Sequence, residues 1–378
     1  MHLKLSFSYF LIFVFFSAFS QEKYTLSGTI SDANSNETLI GVNIYIPEIK
    51  AATTTNEYGF YSITVPKGTY KVQVSYLSFQ TIEQTVSLNK NTKINFPLSS
   101  NEEQLQEVVI TDSRTATNTR KAEMSVNKLS IAAIKKMPVV MGEVDVLKSI
   151  LLLPGVTNAG EGASGFNVRG GGADQNLILL DEAMIYNSSH VFGFFSVFNP
   201  DAIKDLKLYK GGIPARFGGR SASVLDIYQK DGNSKDFHVN GGIGLISSRL
   251  LAEGPIVKDK GSFLIGGRTS YAHLFLKLSD NDNVAYFYDL NAKLNYKLNA
   301  NNTLYLSGYF GRDVFSLSDQ FENIYGNSTL NLRWNHLFSD KLFSNLSLIY
   351  SDYYYGLDLD IVGFKWDSGI KNYNLKYD

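Results

Sequence analysis

Five histidines, at positions 2, 190, 238, 273 and 336, are the first residues to test for chemistry. An imidazole can bind a metal, move a proton or activate a nucleophile. No two of them stand at metal-ligand spacing, and no HExxH motif or clustered carboxylate–histidine group accompanies them. The chain has no cysteine, which excludes disulfides, thiolate metal ligands and lipid attachment through an N-terminal Cys. Ser164, in Gly162-Ala163-Ser164-Gly165, lacks the GxSxG spacing of a nucleophile elbow. The runs Gly170-Gly171-Gly172, Gly211-Gly212 and Gly218-Gly219 lack the GK[ST] ending of a phosphate-binding loop. No catalytic residue, metal site or cofactor is therefore expected, and the histidines read as strand or loop residues.

The same glycines make better sense as turns in a crowded interior, where positive φ and close backbone approach favour Gly. From Phe166 to Ile227 they bracket two short apolar strands, and Asp181 directly follows one of them. Four pieces stand out in order. They are Val168-Arg169-Gly170-Gly171, then Leu179-Leu180-Asp181 with Tyr186-Asn187, then Tyr209-Lys210-Gly211, then Arg216-Phe217-Gly218-Gly219-Arg220. This series resembles the plug domain of TonB-dependent outer-membrane receptors. The resemblance implies a gated import pore and not an enzyme. It also implies that Arg169, Arg216 and Arg220 anchor the plug to carboxylates on an inner barrel wall. Exposed pairs of that kind contribute about 0 to 1 kcal/mol each, so several hold a plug yet remain breakable.

The elements that would position these residues follow from the rest of the chain. Its 378 residues suggest two or three domains, and its net charge of −1 gives no reason to expect nucleic acid. With 23 Tyr and 25 Phe, it suits a β-rich protein that has rings at wet interfaces. Residues 1–20 read as a signal peptide: Lys4 precedes an apolar run from Tyr9 to Phe16, and Ser17-Ala18-Phe19-Ser20 places cleavage before Gln21. No later segment approaches the ~18 to 20 apolar residues of a membrane helix, so any membrane insertion must use strands.

Residues 21–98 read as a β-sandwich, with short strands at roughly ten-residue spacing. Tyr24 to Ile30 comes first. Val42, Ile44 and Ile46 point inward before Pro47. Asn56-Glu57-Tyr58-Gly59 turns into Phe60 to Val65, and Pro66-Lys67-Gly68 leads to Tyr70, Val72, Val74 and Tyr76. The segment resembles a carboxypeptidase regulatory-like domain, which is transthyretin-like and carries no peptidase chemistry. The resemblance rests on Gly28-Thr29-Ile30-Ser31-Asp32, Leu39-Ile40-Gly41-Val42, Thr55 to Tyr61 and Gly68-Thr69-Tyr70. Residues 99–118 are a polar linker containing the β-forming run Leu105-Gln106-Glu107-Val108-Val109-Ile110-Thr111. The receptor resemblance makes this run the TonB box, an extended peptide that adds a strand to the edge of a partner sheet.

Residues 119–231 form the expected plug. A helix is expected over Glu143 to Leu153, ended by Pro154-Gly155, and another after Asn199-Pro200, with a strand over Leu206 to Lys210. Residues 236–378 change to period-two strands. In Tyr286 to Leu298, Tyr286, Tyr288, Leu290, Ala292, Leu294, Tyr296 and Leu298 share one face, opposite mostly polar residues. Tyr353-Tyr354-Tyr355 and Trp366 read as aromatic girdle residues. About seven strand candidates fall short of the about 22 strands of plugged transporters, so a fragment is expected. Phe192, Phe194, Phe195 and Phe198 are assigned to the plug core.

The expected fold is thus mainly β: a transthyretin-like sandwich, an α+β plug and the first strands of an incomplete transmembrane antiparallel barrel. The resemblance implies a Gram-negative outer-membrane location, with the N-terminal domain in the periplasm. It implies TonB with its inner-membrane energising complex, outer-membrane lipid and an unidentified small solute as partners, with a surface lipoprotein as a further candidate. The solute class stays open among siderophore, glycan, peptide or similar. Leu180-Asp181-Glu182 departs from the Ile-Asp-Gly of the glycan-importing SusC-like branch. The alternatives are a non-transporting outer-membrane binding or sensor protein and an exported enzyme.

Overall fold

The computed structural model describes residues 22–101, 125–137, 144–160, 165–277, 283–317 and 320–378. The signal peptide and the run Leu105 to Thr111 lie outside these residues. The rest forms two units.

The first unit has eight strands: β1 (Lys23–Asp32), β2 (Asn43–Ile46), β3 (Ala51–Thr54), β4 (Phe60–Pro66), β5 (Gly68–Ser75), β6 (Ile82–Leu88), β7 (Thr92–Lys93) and β8 (Phe96–Leu98). One sheet runs β4-β1-β7, with β8 also on β1, and the other runs β3-β2-β5-β6. Alternate residues of both sheets, among them Leu26, Ile30, Ile44, Ile46, Val72, Val74 and Leu88, fill one core. A Cβ on Gly28 would sit 1.7 Å from the Ile94 carbonyl oxygen, so only Gly permits that approach. The Asn56 turn is confirmed: its Oδ1 accepts from the amides of Tyr58 and Phe60, and Gly59 takes φ +73°.

In the second unit the plug strands are β9 (Val126–Ser130), β10 (Val156–Asn158), β11 (Phe166–Val168), β12 (Asn176–Leu180), β13 (Ala183–Met184), β14 (Ser189–His190), β15 (Phe195–Ser196), β16 (Ile203–Tyr209) and β17 (Ser223–Gln229). Five of them make a mixed sheet in the order β13-β12-β17-β16-β9, with β12 and β17 parallel. The helix expected over Glu143 to Leu153 is the shorter Val146–Leu151. Asp145 is extended and caps it by accepting from the Lys148 amide, so the helix starts only after that residue. No helix follows Asn199-Pro200. The Asn199 side chain accepts from the Asp201 amide and its carbonyl from Ala202, closing a turn that feeds β16 directly.

Eight further strands follow: β18 (His238–Ile243), β19 (Ser247–Val257), β20 (Gly261–Ser270), β21 (Val284–Asn299), β22 (Asn302–Leu317), β23 (Phe321–Leu337), β24 (Phe343–Leu359) and β25 (Phe364–Tyr377). They form one antiparallel sheet in chain order, one strand more than the sequence count. The glycines and Pro255 of β19 and β20 blur the alternation there. β23 and β24 are 17 residues long, well beyond the about 9 to 11 that cross a bilayer when tilted.

The two faces of this sheet are chemically opposed. Leu290, Leu294, Tyr296, Leu306, Phe310, Leu330, Leu332, Trp334 and Leu348 are exposed on one face. Asp289, Asn291, Lys293, Ser307, Asn331, Arg333, Asn345 and Ser347 are buried on the other. Period two allows only the middle residue of Tyr353-Tyr354-Tyr355 onto the apolar face. Tyr353 packs at a tilt against plug residue Tyr186, Tyr355 packs edge-on to Trp366, and Tyr354 faces out. The girdle expectation is corrected accordingly.

Candidate functional site: the plug against the luminal wall

Arg169 follows β11 at φ +50°, and Gly170 comes next at φ +81°. Its guanidinium donates to Ser125 Oγ at 2.8 Å and lies so close to Gly211 that a Cβ there would meet it at 2.8 Å. Gly171 approaches Ala222, where an added Cβ would come within 2.5 Å. Thus the Arg169 side chain lies against Gly211, while Gly171 packs on Ala222. Arg216 covers the Phe217 ring and reaches the Tyr209 hydroxyl at 3.4 Å. Gly218 has open space around it, and Gly219 needs its glycine for φ +87°. Arg220 is exposed and donates to the Gly219 carbonyl. The partners named here for all three arginines belong to the plug.

Asp181, Glu182, His190 and Asp201 of the plug form ion pairs with the described sheet. Asp181 and Glu182 form the two-residue loop between β12 and β13, at φ +46° and +72°. Such a loop favours Asn-Gly or Asp-Gly, because both positions need positive φ. Asp181 accepts from the Gln229 amide at 3.0 Å and pairs with Lys293 at 3.1 Å. Lys293 also meets Asp231 at 3.0 Å and the Gln229 carbonyl at 2.8 Å. Glu182 pairs with Lys376 at 2.8 Å and accepts from Ser347 and Asn345. Burial works against its charge, but Arg333 and Lys376 outweigh burial and hold the Glu182 carboxyl below its ordinary pKa. Asn331 donates to the Asp181 carbonyl at 2.6 Å, fixing the loop backbone.

Two further contacts extend the seam. Asn327 accepts from the amides of Tyr186 and Asn187 and donates to the Asn187 carbonyl, so one side chain acts as a strand partner. Asp201 bonds Arg249 of β19 at 2.7 Å and Lys135 of the plug at 2.7 Å.

His190 sits between two strands of the wall. Its Nδ1 is 2.6 Å from Asp313 Oδ2, and its Nε2 is 3.2 Å from Asp289 Oδ2. The ring stacks on Phe287 with centroids 4.2 Å apart. Arg268 clamps Asp289 from Nε and Nη2, at 2.9 and 2.6 Å. Burial opposes the imidazolium, yet Asp313 and Asp289 more than compensate and raise the His190 pKa. Of the four phenylalanines assigned to the core, Phe195 and Phe198 are buried, whereas Phe192 and Phe194 are exposed. The sequence alone assigns no wall contact to Glu182, His190 or Asp201. The only available signal was the polar face of β21, where Asp289, Asn291 and Lys293 alternate with apolar residues.

A mixed plug sheet tied by buried charges to the polar side of a long-stranded sheet, whose other side is apolar, defines a plugged outer-membrane β-barrel protein. Comparison with known proteins specifies the class further. Residues 118–224 match the TonB-dependent receptor plug domain, and residues 26–110 match a CarboxypepD_reg-like domain. TonB-dependent receptor P3 of Formosa agariphila is 30% identical over 126 residues, which are 33% of this chain and 12% of that protein. The siderophore receptor PirA from Acinetobacter baumannii superposes with a TM-score of 0.51 at 18% identity, over 70% of this chain and 46% of PirA. The alcaligin outer-membrane receptor FauA from Bordetella pertussis gives 0.52 at 12% identity, over 68% and 43%. The chain therefore spans less than half the length of these solved relatives. Its two modules are thus a CarboxypepD_reg-like domain and the plug domain of the TonB-dependent receptors, a family of receptors and transporters. Such receptors are outer-membrane β-barrels with their N-terminal domain in the periplasm.

Proposed function

We propose that this chain is the plug-bearing part of an importer that takes up a scarce solute when TonB displaces the plug. The observation that carries the reading is the Asp181–Glu182 loop, whose ties to the wall are polar throughout: Lys293, Lys376, Asn331, Asn345 and Ser347. Contacts of this kind exchange for water when pulled apart, whereas an apolar seam would resist. TonB is proposed to engage Leu105 to Thr111, and Arg169, Arg216 and Arg220 to steady the plug. The solute class is open; siderophore receptors among the structural relatives make an iron chelate the first to try. The test is deletion of residues 105–111 in the full-length protein, with uptake and surface binding of radiolabelled ferric siderophores measured in parallel. Loss of uptake with binding retained supports import. Binding without uptake in the undeleted protein overturns it in favour of a non-transporting binder, and uptake retained after the deletion overturns the role proposed for residues 105–111.

A further inference from the structure

His190 is the one plug side chain whose two ring nitrogens both face carboxylates of the described wall. A neutral imidazole has one N–H and one lone pair, so it can donate to only one of them. A carboxylate cannot donate in return unless it is itself protonated. Both contacts are satisfied together by the doubly protonated ring. Charge balance gives the same answer independently. The buried group contains Asp289, Asp313 and Arg268, and an imidazolium brings it to neutrality, while a neutral ring leaves one negative charge in excess. The other groups facing the ring are Phe287 of β21 and the Tyr309 hydroxyl of β22, 3.5 Å from Nε2. On the plug side, Asp145 bonds the Ser196 amide, and Ser196 in turn accepts from Arg268 through its carbonyl.

The next two residues explain what the ring holds. Val191 and Phe192 both take left-handed φ, +49° and +52°, a costly conformation for a β-branched and an aromatic residue. They are kept there by the Val191 amide donating to Asp313 Oδ1 at 2.8 Å and the Phe192 amide donating to the Tyr325 hydroxyl at 3.1 Å. Asp313 thus serves the ring with one oxygen and the strained backbone with the other. We propose that His190 is a proton-controlled positioning residue, whose charged ring clasps plug residues 189–193 to β21 and β22 and whose deprotonation lets that strained segment relax. The clasp stands on this geometry alone; its bearing on plug release during uptake rests on the importer reading.

The sign follows from the raised His190 pKa. The clasp is fully closed below the ordinary imidazole value of about 6.5 and opens as pH rises through the higher bound value. The test is hydrogen exchange of the Val191 and Phe192 amides in the full chain, from mildly acid to alkaline pH and corrected for intrinsic exchange, alongside an NMR titration of the His190 ring. Protection is expected to fall by about tenfold for each unit of pKa elevation. His190→Gln should abolish that pH dependence, and Asp313→Asn should move the transition to lower pH. Protection that ignores pH, pH dependence retained in His190→Gln, or a ring titrating at or below the ordinary value would each overturn the proposal. None of these readouts involves TonB or a solute, so they fail or succeed separately from the import experiment.

Discussion

Lys293 of the wall and Asp181 of the plug form a buried ion pair at 3.1 Å, with side chains 2% and 1% exposed. The same ammonium meets Asp231 at 3.0 Å, and Asp231 is held in turn by Lys204 at 3.1 Å, so the two carboxylates and two cations form one network at the end of the plug sheet. Breaking a buried pair by removing one partner costs about 3 to 5 kcal/mol, because the remaining charge is left uncompensated. Lys293→Met keeps the packing of the stem. It should sharply lower the hydrogen-exchange protection of the Asp181 and Gln229 amides while leaving β22 and β23 unchanged. Unaltered protection at both amides would show that the pair contributes nothing to seating.

Glu182 combines a left-handed backbone with a wall contact, and two substitutions separate these effects. Both Glu182→Ala and Glu182→Gly delete the bonds to Lys376 and Ser347. Only Gly also relieves φ +72°, so the Gly variant should be the more stable by about 1 kcal/mol in chemical denaturation. Equal stabilities would mean that the loop changes conformation once the side chain is gone.

Burial pushes the Asp205 carboxyl up to about 6, against a smaller opposing effect of Lys207. The unfolded value is about 3.9, so the native state holds the proton more tightly. The contribution is fully present below the unfolded value and is lost as pH rises through the native one, by about 2 to 3 kcal/mol. Asp205→Asn should remove this slope from the difference between variant and wild-type denaturation curves taken across that window.

Gly232 and Gly219 both have positive φ, +81° and +87°, but differ in their surroundings. A Cβ on Gly232 would come 2.5 Å from the Phe263 carbonyl oxygen, whereas nothing lies within 4 Å of one on Gly219. Gly219→Ala should cost about 1 kcal/mol from backbone strain alone. Gly232→Ala should cost at least about 2 kcal/mol, since β20 must shift as well. Thermal unfolding of the two variants checks the ranking.

The sequence was most legible where one face of an element differs chemically from the other. Tyr286 to Leu298 was read with the right faces, and the structure extends it only to Val284–Asn299. Ala51–Thr54 was not read at all, because Ala-Ala-Thr-Thr lacks contrast. The helix expected after Asn199-Pro200 yielded to a side-chain turn, which propensity does not weigh. The site was less legible for a different reason. His190 meets Asp289 and Asp313 from 99 and 123 positions away, and no local pattern encodes a partner so distant. Glycine spacing marked the plug because tight turns are local. It gave no hint that Asp181, Glu182 and Asp201 pair with the described wall.

The main apolar cluster of the plug is built from plug residues, among them Leu147, Ile150, Phe166, Ile178, Leu206 and Ile227, with Tyr309, among the described residues, as the one fully buried contributor from the long-stranded sheet. A body that carries its grease inside itself can slide past a wettable lining without first melting. Under the proposed displacement, the seam to be opened is mostly polar apart from contacts such as Ala202 with Leu251 and Leu264, so the force required would follow the charged clasps along it more than the size of the body.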